Sequence, residues 1–390
     1  MSFSKTIIAA SIAAACINTA FAADPKKMPE KPAVPTLGQV MEATGISVNG
    51  YIDASYTYLS GTGAFTSGTA NRVFDTERQS FNVNALDLTL SALPPEGFGG
   101  MVNLTAGTDA NVIGSAGTNT TDQFDVTQAY VHFAKGGLMV IGGKYVTLSG
   151  AEVIKSPSNT NFSRSILFGY AIPFTHTGVR AYFTPGGSAV SPDGKPTFIV
   201  GVNNGWDIQS ESKQGAAGDG SIANGKTLEL GVSGNLSKSV SGAAVLYRGN
   251  ESTGAVKTGQ RDLLDLVATF TVSDALSFTL NYDTATQEKA LTGDKEAKWS
   301  GIAAYVNYKL SDAWRVSFRT ESFDDKDGFR TGVAQKWKEN TLTLANTPAK
   351  NVELRAEVRA DNSDKSSFSQ PGSGPKKSQD SLGLEAIYKF

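Results

Sequence analysis

The sequence predicts an all-β fold: a transmembrane antiparallel β-barrel of about sixteen strands, with short turns at one end and long loops at the other. Three observations predict it. From Gly45 to Phe390 apolar and polar residues alternate with period two. The connectors between the alternating segments are short and long in turn. Beyond the first two dozen residues no stretch approaches the roughly 18 consecutive apolar residues that a spanning helix needs. Mean hydropathy is slightly negative, which argues against a helical membrane protein. Strands that alternate between lipid and water average near zero and escape a hydropathy window.

The first 22 residues read as an export signal: Lys5 carries the charge, residues 6–17 form a short apolar run, and Ala20-Phe21-Ala22 is a small-x-small cleavage site. An Ala-Ala-Ala-Cys run ending at Cys16 offers a lipoprotein-type alternative, but Ala13 stands where such sites prefer leucine. With cleavage after Ala22 the single cysteine leaves with the signal, and disulfide, zinc and thiol chemistry leave with it. Residues 23–45 are expected as a periplasmic lead-in, rich in Pro and Lys at first, then with one or two helical turns over 37–44. The barrel is expected over 46–390 as one domain. A net charge of −2 gives no basis for nucleic-acid binding.

Taking the strands in order, Ile46, Val48, Ile52, Ala54, Tyr56 and Tyr58 share one face, opposed to Ser47, Asn49, Tyr51, Asp53, Ser55 and Thr57. Leu86, Leu88 and Leu90 oppose Asp87 and Thr89; Leu228, Leu230 and Val232 oppose Glu229. Leu264, Leu266 and Phe270 oppose Asp265, while Leu276, Phe278, Leu280 and Tyr282 oppose Asn281 and Asp283. Ile302, Val306 and Tyr308 oppose Asn307 and Lys309; Trp314, Val316 and Phe318 oppose Arg315 and Arg319. Leu354 and Val358 oppose Glu353, Arg355, Glu357 and Arg359, and Leu382, Leu384, Tyr388 and Phe390 oppose Glu385 and Lys389. No charge enters the apolar face of these nine strands, as lipid exposure demands, since Lys or Arg at mid-bilayer costs about 2–4 kcal/mol. Seven less clean segments, near 98–106, 124–134, 138–148, 174–184, 196–203, 240–248 and 338–346, complete the set.

Short turns are expected at 94–97, 135–137, 237–239, 273–274, 311–312 and 347–349, with a longer one over 185–196. Longer polar segments lie near 59–79, 107–122, 149–173, 204–226, 249–260, 286–297, 323–336 and 361–377. Seven turns and eight loops join sixteen strands and bring both ends of the barrel to the periplasmic side. Tyr56, Tyr58, Tyr282, Tyr308, Trp314, Tyr388 and Phe390 sit at strand ends, where aromatic girdles meet the two membrane interfaces. Phe390, closing a strand that alternates to its last residue, reads as a signal to the outer-membrane assembly machinery.

The segments GISVNGYIDASYTY (45–58), VTQAYVHF (126–133), MVIGGKYVTLSGAE (139–152), NTNFSRSILFGYAIPFTHTGVRAYFT (159–184) and VNNGWD (202–207) resemble the putative beta-barrel porin-2 (OmpL-like) family. The resemblance is densest over 45–207 and is carried chiefly by the NFSRS…P-x-THTGVR stretch. It implies an outer-membrane porin and brings no catalytic residue, cofactor or defined ligand.

A barrel of sixteen strands is wide enough for an aqueous lumen, whereas one of eight is filled by side chains. The inward set reads as polar throughout. Its basic residues Lys309, Arg315, Arg319, Arg355, Arg359 and Lys389 come from the last quarter of the chain, and Asp53, Asp87, Glu229, Asp265 and Asp283 from other walls. Two expectations follow for that stripe: a transverse field across the pore, or pairing with neighbouring acids with no such role. Segment 149–173, with Glu152, Lys155 and Arg164 among apolar Phe162, Ile166, Leu167 and Phe168, is expected to fold inward as a constriction, a strand extension being the alternative.

Neither His132 nor His176 has a ligand partner at helical or hairpin spacing, so no metal site is expected. Neither has the spacing to activate Ser163 or Ser165 for a hydrolase. Asp324, Asp325 and Asp327 read as a solvated acidic loop rather than a Ca²⁺ site. The functional expectation is passive diffusion of small hydrophilic solutes and ions. The alternative is a non-conducting barrel whose loops act as adhesin or receptor. Partners are outer-membrane lipid and lipopolysaccharide, and the apolar face that meets lipid also permits a homotrimer.

Overall fold

The computed structural model describes residues 36–60, 72–75, 79–115, 122–210, 225–252, 258–368 and 374–390. The expected signal peptide and Pro-rich lead-in lie outside the described residues. Of the lead-in, the helix expected over 37–44 is present as α1 (Leu37–Thr44).

Sixteen antiparallel strands form one closed barrel. In chain order they are β1 (Ser47–Leu59), β2 (Ser80–Ala92), β3 (Gly97–Ala106), β4 (Phe124–Lys135), β5 (Leu138–Val146), β6 (Thr175–Phe183), β7 (Thr197–Asn203) and β8 (Thr227–Ser237). They continue as β9 (Val240–Ser252), β10 (Thr258–Thr271), β11 (Leu276–Leu291), β12 (Lys295–Lys309), β13 (Trp314–Asp325), β14 (Gln335–Ala349), β15 (Val352–Ser363) and β16 (Ser378–Lys389). Each pairs with its chain neighbour, and β16 returns to β1 through Ala54↔Ala386 and its neighbours. Closure leaves no edge strand, the condition for placing a sheet in hydrocarbon. At the seam Gly50 and Phe390 exchange both backbone hydrogen bonds at 3.0 Å, and a Cβ on Gly50 would meet the Phe390 ring at 2.7 Å. The Asp87 carbonyl oxygen lies 2.2 Å from the same Cβ position and cannot swing aside as the ring can, so the backbone there requires glycine.

The outward face is the apolar one. Ile302, Leu342, Leu354, Val358 and Leu384 are all exposed to the barrel exterior. A bulge opposite Asp53 and Ala54 shifts the phase of β2, so that Phe81 and Val83 point outward as well as Leu86 and Leu90.

The structure corrects the sequence reading in four places. The segments expected as loops over 249–260 and 286–297 are mostly strand: β9 runs to Ser252, and β11 and β12 leave only residues 292–294 between them. A bilayer needs about 9–11 tilted residues, whereas β11 has 16. The excess stands beyond the lipid, where both faces are polar and read as loop. The turn placed at 347–349 falls inside β14, behind a register shift after Asn346, and the chain reverses at Lys350 and Asn351. A short helix, α2 (Thr108–Ile113), occupies part of the 107–122 loop.

The fourth correction concerns the interior, which is not polar throughout. Leu263, Trp299, Phe323 and Trp337 point inward and are buried, packed with Leu167, Phe168 and Ile172 of the β5–β6 connector in a hydrophobic cluster inside the barrel. Burying such side chains stabilises by about 1.5–3 kcal/mol each, so the connector is held as part of a core.

The outward face generates a test. Val358, 52% exposed in the middle of β15, is expected to destabilise the barrel by about 2–4 kcal/mol when changed to Arg, and Val352→Arg near the rim by about 0–1 kcal/mol. Urea unfolding in lipid vesicles measures both. Equal costs would contradict the placement of this face in lipid.

Candidate constriction inside the barrel

The connector between β5 and β6 folds across the interior and adds no strand; it contains one 3₁₀ turn, Ser156–Ser158, and one π-helical turn, Leu167–Ala171. Folding it inward removes its backbone groups from water, so each needs a partner. The charged residues of the wall supply them.

On the basic side, Arg315 (β13) donates to Thr160 O at 3.2 Å. Arg355 (β15) donates to the carbonyls of Asn159 at 2.8 Å, Asn161 at 3.1 Å and Ser156 at 3.3 Å. Arg319 (β13) reaches Ser163 O at 2.6 Å and Arg359 (β15) reaches Arg164 O at 2.7 Å. Four arginines thus hold successive carbonyls of one segment, using the planar fork that makes Arg suited to several acceptors at once.

On the acidic side, Glu357 (β15) accepts from Phe162 N at 2.7 Å and Ser163 N at 3.0 Å. Glu321 (β13) accepts from Ile166 N at 2.6 Å and Leu167 N at 3.0 Å. Asp265 (β10) accepts from Gly150 N at 3.1 Å, and Asn281 (β11) from Ala151 N at 3.1 Å. The wall also makes room for the connector's side chains. A Cβ on Gly301 would lie 2.6 Å from Leu167, and one on Gly383 would lie 2.5 Å from Phe162.

The arginines are at the same time paired. Arg319 contacts Glu152 of the connector at 2.6 Å and Glu339 at 2.7 Å with no side-chain exposure. Arg355 contacts Glu353 and Glu385 at 2.8 and 3.0 Å, and Arg359 contacts Asp361 at 2.8 Å. Removing one member of such a buried set leaves an uncompensated charge, at a cost of about 3–5 kcal/mol.

The predicted site residues therefore fall into groups. Arg315, Arg319, Arg355 and Arg359 come together beneath the connector. Glu152 joins them, Lys155 crosses to Asp87 at 3.0 Å, and Arg164 turns onto the connector's own carbonyls at Phe162 and Ile154. Asp265 and Asp283 are cross-strand neighbours on β10 and β11. Barrel order puts them, with Asp53 and Asp87, on strands flanking β13–β15; the strands opposite are β5–β7. Glu229 on β8 is paired with Arg180 at 2.7 Å. Lys309 stands apart from the basic group at the end of β12, paired with Asp312 of the adjacent turn at 2.7 Å; Lys389, at the end of β16, is not among the arginines that hold the connector.

His132 and His176 bond to the carbonyls of Pro94 and Gly205, at 2.9 and 3.1 Å. Ser163 Oγ accepts from Arg319, and Ser165 Oγ from Phe168 N. Asp325 accepts from Arg330 N and Thr331 N, Asp327 accepts from Lys298 N, and Asp324 pairs with Lys336, so the three acids diverge.

Beside the connector, Asp53, Asp75, Asp109 and Arg164 face a cavity of about 20 Å³, room for a single water. Burial pushes the Asp109 carboxyl on α2 up to about 7, against the opposing pull of Arg164. The sign of its linkage follows: a folded value raised above the unfolded 3.8 contributes stability that is full below the unfolded value and is lost as pH rises through about 7. Urea unfolding across pH 4–8 is expected to show wild type losing stability relative to Asp109→Asn toward pH 8, with the two converging at pH 4. Parallel curves would contradict the assignment.

Residues 45–390 match the family described as putative beta-barrel porin-2, OmpL-like. Among solved structures, the anion-selective porin from Comamonas acidovorans is similar with a TM-score of 0.63 and 13% identity, over 88% of this chain and 99% of that one. The outer membrane channel DcaP of Acinetobacter baumannii is similar with a TM-score of 0.59 and 14% identity, over 88% and 97%. OmpT of Vibrio cholerae, in a trimer form, gives 0.56 and 10%, over 88% and 99%. Likeness at these identities is likeness of fold. No curated protein matches the chain in sequence.

Proposed function

We propose, for a chain that belongs to the putative beta-barrel porin-2 (OmpL-like) family, a diffusion path that the β5–β6 connector narrows and that runs along the β2–β6 side of the barrel. The protein is an outer-membrane porin, a channel for passive diffusion of small hydrophilic solutes and ions. The connector is the constriction. The observation that carries this reading is the one-sided anchoring of the connector: its carbonyls are bound by arginines on β13 and β15. Its other margin ends in Lys155, whose side chain keeps 31% exposure beside Asp87, whereas Arg319 keeps none. Tyr130 and Tyr182, half-buried on the inward faces of β4 and β6, continue that margin. On this reading the basic stripe acts mainly by fixing the connector, and the charge that meets a passing solute is Lys155.

Such a channel does no chemistry on its solute and needs no cofactor. The remaining parts of the proposal are export with cleavage after Ala22, contact of the apolar exterior with lipid and lipopolysaccharide, and recognition of Phe390 by the assembly machinery. The trimer form of OmpT supports a homotrimer here.

Single-channel recording of the refolded protein in planar bilayers under a salt gradient tests the channel and its constriction. Deletion of residues 156–166 is expected to raise conductance several-fold, and Lys155→Glu to shift the reversal potential toward cation preference. Folded barrels that pass no current would overturn the channel. Unchanged conductance after the deletion would remove the constriction.

A further inference from the structure

A second cationic cluster lies toward the loop end of the barrel and touches the connector through Arg330, whose Nε donates to Tyr170 O, and Trp299, whose indole donates to Ala171 O. Arg261 of β10 and Arg330 of the β13–β14 connector converge on the indole of Trp206, which follows β7. Their guanidinium carbons lie 4.7 and 5.1 Å from its ring centroid. Arg330 also lies 5.5 Å from the Trp299 ring, and Arg261 5.8 Å from the Phe329 ring. Trp206 packs edge-on against Trp299, and Phe329 stacks on Trp299 at 5.8 Å. Three aromatic side chains therefore enclose two like charges.

The donors of this cluster are largely unspent. Arg261 uses Nε on Gln287 at 2.6 Å, and Arg330 uses Nε on Tyr170 O at 2.6 Å. Among the described residues the terminal nitrogens of both guanidinium groups, and the indole N–H of Trp206, donate no hydrogen bond. The acids nearest in charge are already engaged: Asp207 accepts from Phe174 N and Thr175 N, and Glu251 from Trp206 N and Thr227 Oγ1. Arg261 is 8% exposed, whereas Arg330 and Phe329 remain half-buried, so the cluster opens at their side.

Burial and the neighbouring Arg261 pull the Arg330 guanidinium down to about 10, against the opposing pull of Asp207 and Asp325, and among the described residues neither guanidinium has an acid within ion-pair distance. Two adjacent guanidinium groups in an apolar setting repel and leave donors unpaired, and each defect costs free energy. An anion with two or more acceptor oxygens relieves both defects, and a flat apolar body on that anion would extend the aromatic packing.

We propose that Arg261, Arg330 and Trp206 form a binding site for a small solute that carries a carboxylate on a flat apolar body. The carboxylate bridges the two guanidinium groups and the body lies against the aromatic rings. The site deepens the porin reading by naming a class of solute that the mouth of the channel would concentrate, and it rests on that reading only for its role in transport.

The test uses the refolded full barrel with benzoate as probe, benzyl alcohol as its uncharged counterpart and inorganic phosphate as an anion without the ring. Tryptophan fluorescence reads binding without any need for current. Saturable quenching is expected with benzoate, at least tenfold weaker with benzyl alcohol and with phosphate, and weakened tenfold or more by Arg330→Gln. Arg330 is half-buried on a connector, so this variant is expected to fold, as near-UV circular dichroism would show; Arg261→Lys serves as a second variant that keeps the charge and removes the fork. Equal response to benzoate and phosphate would overturn the role of the rings. Quenching absent in wild type, or unchanged in both variants, would overturn the site. Benzoate block of single-channel current separates the two levels: a conducting barrel that neither binds nor is blocked refutes the site and leaves the porin standing, and a silent barrel that binds benzoate through Arg330 does the reverse.

Discussion

Hydrocarbon has no hydrogen-bonding groups, and that absence governs the architecture. Every strand N–H and carbonyl facing lipid must find a partner in a neighbouring strand, so the sheet closes from β16 onto β1. The apolar side chains must then point outward, and whatever remains points in. Closure solves the problem of the backbone and creates another, because a ring of sixteen strands encloses more space than its own inward side chains fill. The β5–β6 connector answers that second problem. It carries Leu167, Phe168 and Ile172 against the inward Trp299 and Phe323 and supplies the barrel with a core on its inner side.

The buried charges follow from this arrangement. A connector without strand or long helix brings many unpaired backbone groups into the interior, and water cannot serve them all. Wall arginines take the carbonyls, wall carboxylates take the N–H groups, and Arg319, Arg355 and Arg359 are each balanced by an acid on the same strand or a neighbouring one. A buried ion pair alone is weak evidence for stability. Here the value of the network lies in position, since donors and acceptors alternating along two strands fix the connector at one height and on one side.

Much of this was legible in the sequence, and the illegible parts share a cause. Strands such as β12 and β15 announced themselves because lipid on one face and polar groups on the other force a strict alternation from Ile302 to Tyr308 and from Glu353 to Arg359. Where lipid ends, so does the signal, and the outer parts of β11 and β12 looked like loop. Inward Trp299 and Trp337 were missed because one apolar residue among polar ones does not say what will pack on it. The sequence marks Arg315, Arg319, Arg355 and Arg359 as an inward stripe together with Lys309 and Lys389, but not what the four arginines hold: their acceptors include backbone carbonyls, which every residue carries and which leave no mark in the sequence. Gly301 and Gly383 were the available clue: glycine inside an otherwise regular strand often marks close approach of another segment, and each lies under a bulky side chain of the connector. The Trp206 cluster lay beyond sequence reasoning because Arg261, Trp299 and Arg330 belong to three separate segments that only the closed ring brings together.

The lodging of the connector among the wall arginines sets a limit on how such a protein can vary. A segment that fills the barrel cannot be shortened without hollowing the fold that holds it, so on the function proposed above a wider passage comes at the expense of the core. On that reading, widening by small steps is open mainly at Lys155, which is bonded to Asp87 and Thr89 but keeps 31% exposure, so that a side chain there can shrink with less loss of packing. The margin held by Arg319, Arg355 and Arg359 can change only in concert, arginine together with acid, so on the same reading drift in solute range and drift in stability are coupled through one stretch of chain.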